Sequence, residues 1–385
     1  MRAFAPDLAA RLPGFAPRLL PPAGSPAGPA RPTAAADEDA ARGTVVDRRG
    51  RPLRDLRLSV IDRCNFRCTY CMPREAFPAD YAFMPPAERL SFAQLLKIAR
   101  AFTQLGVEKI RITGGEPLLR RGLENLVEQL AQLTTLAGKP VEIALTTNGA
   151  LLAAKARSLK DAGLQRVTVS LDALDDAVFR RMSDTDLPVA RILDGIEAAR
   201  AAGLAPLKVN TVVQRGVNDD QILPLVRHFK GSGVSVRFIE YMDVGGADRW
   251  SDGDVLTAAQ ARDLVAAAFP LVPLDQARGA DTAIRYRHAD GGGEVGFIAS
   301  VSQPFCGACT RARVAADGTL YTCLFATRGL SLRPWLDDHA CATQLAQAVR
   351  QRWAQRDDRY SELRASPRPR PGKVYPTVRM SLVGG

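Results

Sequence analysis

Six of the seven cysteines in this 385-residue chain fall into two trios. The first, Cys64-x3-Cys68-x2-Cys71, sits in one short loop with Tyr70 just before its last thiol. Thiolates are soft ligands, and three of them converging from one loop suit a four-iron sulfur cube. Three ligands leave the fourth iron open to bind a small molecule, whereas a fully ligated cube only passes electrons. Structural zinc normally takes four protein ligands, and no fourth Cys and none of the three His residues lies near this loop. A disulfide is disfavoured by the odd cysteine count and by the lack of a recognisable secretory signal.

The second trio is Cys306-x2-Cys309-x13-Cys323. Here zinc stays open as an alternative, because Cys341 or a His could complete four ligands. Cys341, in a polar stretch beside His339, reads more simply as an incidental thiol. Arg311 and Arg313 lie inside this trio, and on an extended segment both point to the same side. With Arg57, Arg111, Lys208 and Arg237 they make six cations, which suits a triphosphate. The plainer alternative is that these cations pair with the chain's Asp and Glu residues.

Strand-like and helix-like segments alternate from Gly50 onward and must position these groups. Strands are expected at Leu56–Ile61, Lys109–Thr113, Val141–Thr146, Arg166–Leu171, Leu207–Val213 and Val234–Ile239. Amphipathic helices are expected at Phe92–Leu105, Leu123–Leu133, Ala153–Ala162, Ile192–Ala202 and Gln221–Lys230. This alternation implies a parallel sheet with right-handed crossovers, either doubly wound or an open (β/α)6 part of a TIM-like barrel. Barrel chemistry sits at the C-terminal ends of strands, and the unusual residues fall there. The cysteine loop follows the first strand and Gly114-Gly115-Glu116-Pro117 the second. Thr146-Thr147-Asn148-Gly149 follows the third, Ser170-Leu171-Asp172 the fourth, and Glu240-Tyr241-Met242 the sixth, while Lys208 and Asn210 lie on the fifth. Taken singly, Gly-Gly and Thr-Asn-Gly are equally good turns, and a strand-end Met is more often core. In a site, Gly115 admits close backbone approach to a ligand, Glu116 accepts from an ammonium group and Ser170 donates to a carboxylate or ribose.

The expected division is a disordered extension over 1–43, a barrel over 44–270 and a cluster-binding C-terminal part over 271–385. The extension is rich in Pro, Ala and Arg, and a targeting peptide is its alternative reading. No run of about eighteen apolar residues is present, so no membrane span is expected. The net charge of +11 favours a polyanionic partner, a nucleic acid or a phosphorylated small molecule, unless it merely aids solubility.

The first trio resembles the signature of the radical S-adenosylmethionine (SAM) enzymes. Together with the second trio it resembles the molybdenum cofactor biosynthesis protein A family, the GTP 3′,8-cyclases. The resemblance runs from about Val45 to Gly385. It includes Arg111-Ile112-Thr113-Gly114-Gly115-Glu116-Pro117, Arg237-Phe238-Ile239-Glu240, Thr310-Arg311-Ala312-Arg313, Leu324-Phe325-Ala326-Thr327, Arg356-Asp357-Asp358-Arg359-Tyr360-Ser361 and the terminal Gly384-Gly385.

The resemblance implies a partial (β/α)6 TIM-like barrel with a C-terminal extension carrying a second iron–sulfur cluster. Cys64, Cys68 and Cys71 would hold one [4Fe-4S] cluster and Cys306, Cys309 and Cys323 the other, whose open iron takes the guanine of GTP. Tyr70, Gly115, Ser170 and Met242 would contact SAM. Arg57, Arg111, Thr146, Lys208, Arg237, Arg311 and Arg313 would surround GTP, with Arg311, Arg313, Gly384 and Gly385 serving catalysis. The implied reaction is radical cyclisation of GTP to 3′,8-cyclo-7,8-dihydro-GTP, the first step of molybdenum cofactor biosynthesis. Cyclic pyranopterin monophosphate synthase would act downstream, and flavodoxin or ferredoxin would supply electrons. A cytoplasmic protein is expected, and a homodimer is left open. The competing classes are a nucleic-acid-modifying radical enzyme, for which no RNA-binding module is evident, and an electron-carrying metal protein, which would not need two open irons.

Overall fold

The computed structural model describes residues 43–244, 250–275, 281–337, 342–364 and 378–384. Residues 1–42, His339, Cys341 and Gly385, each with an expectation attached above, lie outside the described residues.

Six parallel strands form the frame: β1 Asp55–Ser59, β2 Lys109–Thr113, β3 Glu142–Thr147, β4 Arg166–Ser170, β5 Leu207–Val213 and β6 Val234–Glu240, paired in sequence order. Their two-residue alternation decides which side chain goes where. Leu56, Leu58, Ile110, Ile112, Ile143, Leu145, Val167, Val169, Val209 and Val236 are all buried outward in one continuous core with the helices. The alternate positions turn inward and are polar. Arg57 stands level with Arg111, Thr146 with Thr168, and Asn210 with Arg237. One face of each strand thus builds the core while the other lines a polar interior.

The helices behave as their apolar spacing requires. Phe92–Thr103 buries Leu95, Ile98, Ala99 and Phe102 at helical intervals. It starts at Ser91, which accepts from the Gln94 amide while the Gln94 side chain accepts from the Ser91 amide. This reciprocal cap satisfies two otherwise orphaned donors. Further helices follow β3 at Leu152–Asp161, β4 at Asp176–Ser183 and Val189–Ala201, and β5 at Ile222–Phe229.

The C-terminal third does not stand apart. The strands β7 Leu271–Pro273, β8 Ile284–His288 and β9 Glu294–Ile298 extend the sheet beyond β6, with β9 parallel to it. The strands β10 Arg311–Val314, β11 Thr319–Tyr321 and β12 Leu330–Ser331 extend it beyond β1, with β10 parallel to β1. The result is one open 12-stranded sheet, a partial barrel with the second cysteine trio carried against the first strand. Among the described residues, no helix is long and apolar enough to cross a membrane.

Candidate active site

The first cysteine loop is held from three directions. The Arg67 and Thr69 amides donate to the Ser183 and Met182 carbonyls at 3.0 Å, fixing the loop on the end of helix Asp176–Ser183. From β2, the Gly115 and Glu116 amides donate to the Ile61 and Arg63 carbonyls at 2.7 and 2.9 Å. From β3, the Asn148 side chain donates to Asn65 at 2.9 Å and approaches Cys64 Sγ at 3.8 Å. A Cβ on Gly115 would overlap the Arg63 carbonyl and lie 2.8 Å from the Asp62 oxygen. Glycine is therefore demanded here by the cysteine loop itself, before any ligand enters. Glu116 also braces the fold. Its buried carboxylate accepts from the Leu118 amide at 2.9 Å, the Thr147 hydroxyl at 2.8 Å and the Asn148 amide at 2.8 Å. It brackets the loops after β2 and β3, and burial lifts it to about 7 despite these donors.

The thiols of this trio face one another. Burial pushes Cys64 up to about 11 and Cys71 to about 12, with nearby negative charge adding to each shift. Cys68 is raised well above its ordinary value by burial and by Cys64 and Cys71. Three half-buried thiols on one short loop are a soft donor set that fits an iron–sulfur cluster. Tyr70 packs beside them, and its hydroxyl donates to Asp172 Oδ2 at 2.7 Å. The Val212 amide holds the same carboxylate at 2.9 Å, and burial raises Asp172 to about 6. Ser170 ends β4 next to Asn210 on β5.

Beyond this loop lies a cavity of about 1090 Å³, counting its open mouth. It brings Arg57, Arg111, Thr146, Arg237, Arg311 and Arg313 together with Cys306, Cys309 and Cys323, and Met242 lines it too. Arg111 donates to Thr146 at 3.0 Å and to Thr168 at 3.1 Å. Buried Asn210 Oδ1, Arg237 Nε and Arg313 Nε have no partner among the described residues, as expected of a site built for a polar ligand. Burial first, then Arg313, Arg311 and Arg111, pulls Arg57 well below its ordinary value. Lys208, one strand from Thr168, falls to about 6 through burial and the charges of Arg237, Arg166, Lys109 and Arg111. So much uncompensated positive charge in one pocket is a standing cost that a polyanion relieves.

A buried network places the second trio. Asp47 binds Arg51 at 2.7 Å and Arg356 at 3.0 Å, and all three side chains are almost wholly buried. Arg51 donates to the Cys306 carbonyl at 2.7 Å, and Arg356 to the carbonyls of Cys309 at 2.7 Å and Thr322 at 3.0 Å. Each cysteine segment is thus gripped by a guanidinium. Burial would raise Cys309, but Arg311, Arg356 and Arg313 overcome it and lower the thiol to about 6. Arg311 also reaches Cys309 Sγ at 3.4 Å. Cys323, by contrast, is pushed up to about 11 by burial. Among the described residues, no three Cys, His, Asp or Glu side chains converge tightly enough to hold a single metal ion. Cys306, Cys309 and Cys323 line the cavity.

A model described as the radical SAM superfamily matches residues 58–229, and one described as Molybdenum Cofactor Synthesis C matches residues 234–362. The chain is 56% identical over 341 residues to a GTP 3′,8-cyclase of Xanthomonas axonopodis pv. citri, a match covering 89% of this chain and 99% of that relative. It belongs to the GTP 3′,8-cyclase family of radical SAM enzymes. A GTP 3′,8-cyclase of Staphylococcus saprophyticus is 45% identical over 342 residues, covering 89% of this chain and 99% of that relative. Streptococcus suis SuiB shares the fold, with a TM-score of 0.52 at 16% identity over 79% of this chain and 69% of that one.

The tail of this cyclase comes up against Arg57, one of the cavity's arginines. Val383 is fully buried, and the Gly384 carbonyl accepts from Arg57 at 3.4 Å. Arg379 lies over the rings of Phe77 and Tyr81, beyond the first cysteine loop, at 4.6 and 5.9 Å. Several residues at the site escaped the sequence reading. Asp47 and Arg51 of the buried network carry no motif, while the cavity residues Arg356, Asp358 and Ser361 sit in a stretch that signalled kinship without disclosing a role. Apolar Tyr70, Tyr241, Met242, Phe325 and Tyr360 form a second small cluster that touches Cys68 and Cys71 on one side and Cys323 on the other.

Proposed function

We propose that this chain binds GTP in the arginine-lined cavity, with the base toward Cys306, Cys309 and Cys323, and cyclises it to 3′,8-cyclo-7,8-dihydro-GTP. That activity is the first step of molybdenum cofactor biosynthesis. The observation that carries this reading is the single cavity joining Arg57, Arg111, Arg237, Arg311 and Arg313 to the second trio. Cys64, Cys68 and Cys71 would hold the first cluster, and Cys306, Cys309 and Cys323 the second. SAM would lie against Tyr70, Gly115, Ser170 and Met242. When bound, these groups supply the electron and the 5′-deoxyadenosyl radical that takes hydrogen from ribose C3′.

The residues of the chain do the remaining work. The arginines, with Lys208 and Thr146, fix the triphosphate by charge-assisted hydrogen bonds. Holding both ends of the nucleotide leaves the ribose little freedom, which is where positioning lowers a barrier most. The cluster around Tyr241 and Phe325 excludes water from the radical's path, and Gly384 closes the cavity beside Arg57. In this division residues 44–270 form the SAM-binding barrel and 271–385 the substrate-side unit. The product passes to cyclic pyranopterin monophosphate synthase, and flavodoxin or ferredoxin reduces the enzyme in the cytoplasm. A homodimer is compatible with this scheme.

The test is anaerobic incubation of the reconstituted enzyme with SAM, dithionite and each nucleoside triphosphate, followed by mass analysis. GTP alone should yield the cyclic product with methionine and 5′-deoxyadenosine. Equal SAM cleavage with ATP, and no cyclised product from GTP, would overturn the reading.

A further inference from the structure

The described residues lining the cavity include six arginines but a single carboxylate, Asp358. We infer that Asp358 is the residue that selects guanine, accepting a hydrogen bond from the 2-amino group of the base. The inference rests on GTP lying in this cavity with its base toward the second trio.

Asp358 is held in place from both of its ends. Its carbonyl accepts from Arg51 at 2.8 Å, and the same Arg51 nitrogen grips the Cys306 carbonyl at 2.7 Å. Its Oδ2 accepts from the hydroxyl of Thr322, the neighbour of Cys323, at 2.6 Å and stands 3.6 Å from Arg356 Nε. The carboxylate is therefore fixed relative to Cys306 and Cys323 rather than free to swing. Its other oxygen, Oδ1, has no hydrogen-bond partner among the described residues, and a third of the side chain remains accessible.

A carboxylate in this position repels phosphate, so it marks the end of the cavity that the triphosphate avoids. It accepts and cannot donate, so the ligand edge that faces it must carry N–H groups. Guanine presents its 2-amino group there, whereas hypoxanthine and adenine have no amino group at C2. A site built to bond a substrate N–H rejects an analogue lacking it, because the acceptor that the bound base covers is left unpaired.

The experiment compares GTP with inosine triphosphate, which differs only by that amino group, on the reconstituted holoenzyme. Equilibrium dissociation constants and kcat/KM are measured with Asp358, Asp358→Asn and Asp358→Glu. The native enzyme should favour GTP by roughly ten- to a hundredfold, the range for one charge-assisted hydrogen bond. Asp358→Asn retains an oxygen for Thr322 but turns a donor toward the base, so GTP should weaken toward inosine triphosphate while the latter stays unchanged. Asp358→Glu should fall between the two. Native enzyme that binds both nucleotides equally overturns the inference whatever the variants do. Loss of GTP and inosine triphosphate in equal proportion by Asp358→Asn, with iron content unchanged, also overturns it and leaves Asp358 a structural partner of Thr322. Native enzyme that uses neither nucleotide overturns the substrate reading instead.

Discussion

Replacing Gly384 with alanine tests the seat of the tail more sharply than deleting it. Gly384 has φ +68°, where an L side chain is strained by about 1–3 kcal/mol. A Cβ there would also overlap the Thr113 methyl and lie 2.5 Å from its hydroxyl oxygen. Thr113 cannot yield easily, since it is 3% exposed and its carbonyl accepts from the Val60 amide at 2.9 Å. Overpacking of this kind costs about another 1–3 kcal/mol. Against this stand the burial of Val383, worth about 1.5–3 kcal/mol, and the Val378 amide bonded to the Ala326 carbonyl at 3.0 Å, worth about 1 kcal/mol. The two sides are comparable, so one methyl group should release the tail. With the two sides near balance the tail is seated in only about half of the molecules, so cyclisation should fall at least about twofold, and about tenfold more for every 1.4 kcal/mol by which the strain exceeds the anchorage, while iron content and SAM binding persist. Trypsin cleavage after exposed Arg379 should accelerate. Thr113→Ala removes the nearest clashing atoms and should restore part of both readouts, the coupling that a double-mutant cycle measures. A Gly384→Ala enzyme that cyclises at the native rate, with Arg379 no more cleavable, would refute the reasoning.

Three other outcomes follow from the site. Replacing Cys306, Cys309 and Cys323 together with alanine should reduce iron from roughly eight to roughly four per chain and leave some SAM cleavage; finding one zinc in the native protein would contradict it. Arg356→Lys should lower second-cluster iron and its spectroscopic signal while sparing the first, because a lysine cannot hold Asp47 and the carbonyls of Cys309 and Thr322 at once; equal loss from both sites would mean general instability. Lys208 sits near 6 without ligand, so it is largely neutral at pH 7, and a bound phosphate should return its proton. Proton uptake measured by titration calorimetry in two buffers should therefore fall in Lys208→Met, and an unchanged value would refute the role.

The frame of this molecule was legible because it depends on neighbours in sequence. Arg57 and Leu58, or Asn210 and Val209, follow a two-residue alternation that any strand must obey, and β2 and β5 run over the residues that their spacing implies. The cysteine trios were legible for a like reason, since their ligand spacing is local. Pairing between distant segments was not. That β9 and β10 add themselves in parallel to β6 and β1 depends on edges which only the folded barrel creates.

Glu116 shows what local reading leaves out. Beside two glycines at a strand end it reads only as an acceptor for a ligand, and the fold also uses it to accept from Leu118, Thr147 and Asn148. The Asp47–Arg51–Arg356 network is the counterpart, because Asp47 and Arg51 carry no motif and Arg356 joins them from the far end of the chain. Its chemistry follows from the charges that surround it. Two arginines share one carboxylate, and they also donate to the carbonyls of Cys306, Cys309 and Thr322 in the second cysteine segment and of Asp358. Removing the carboxylate would leave two buried cations against one another, at about 3–5 kcal/mol. Asp47→Asn should accordingly unfold at lower denaturant and lose second-cluster iron before the barrel melts. A variant that loses stability uniformly, with both clusters released together, would show that the network only fastens the chain and does not set the second site.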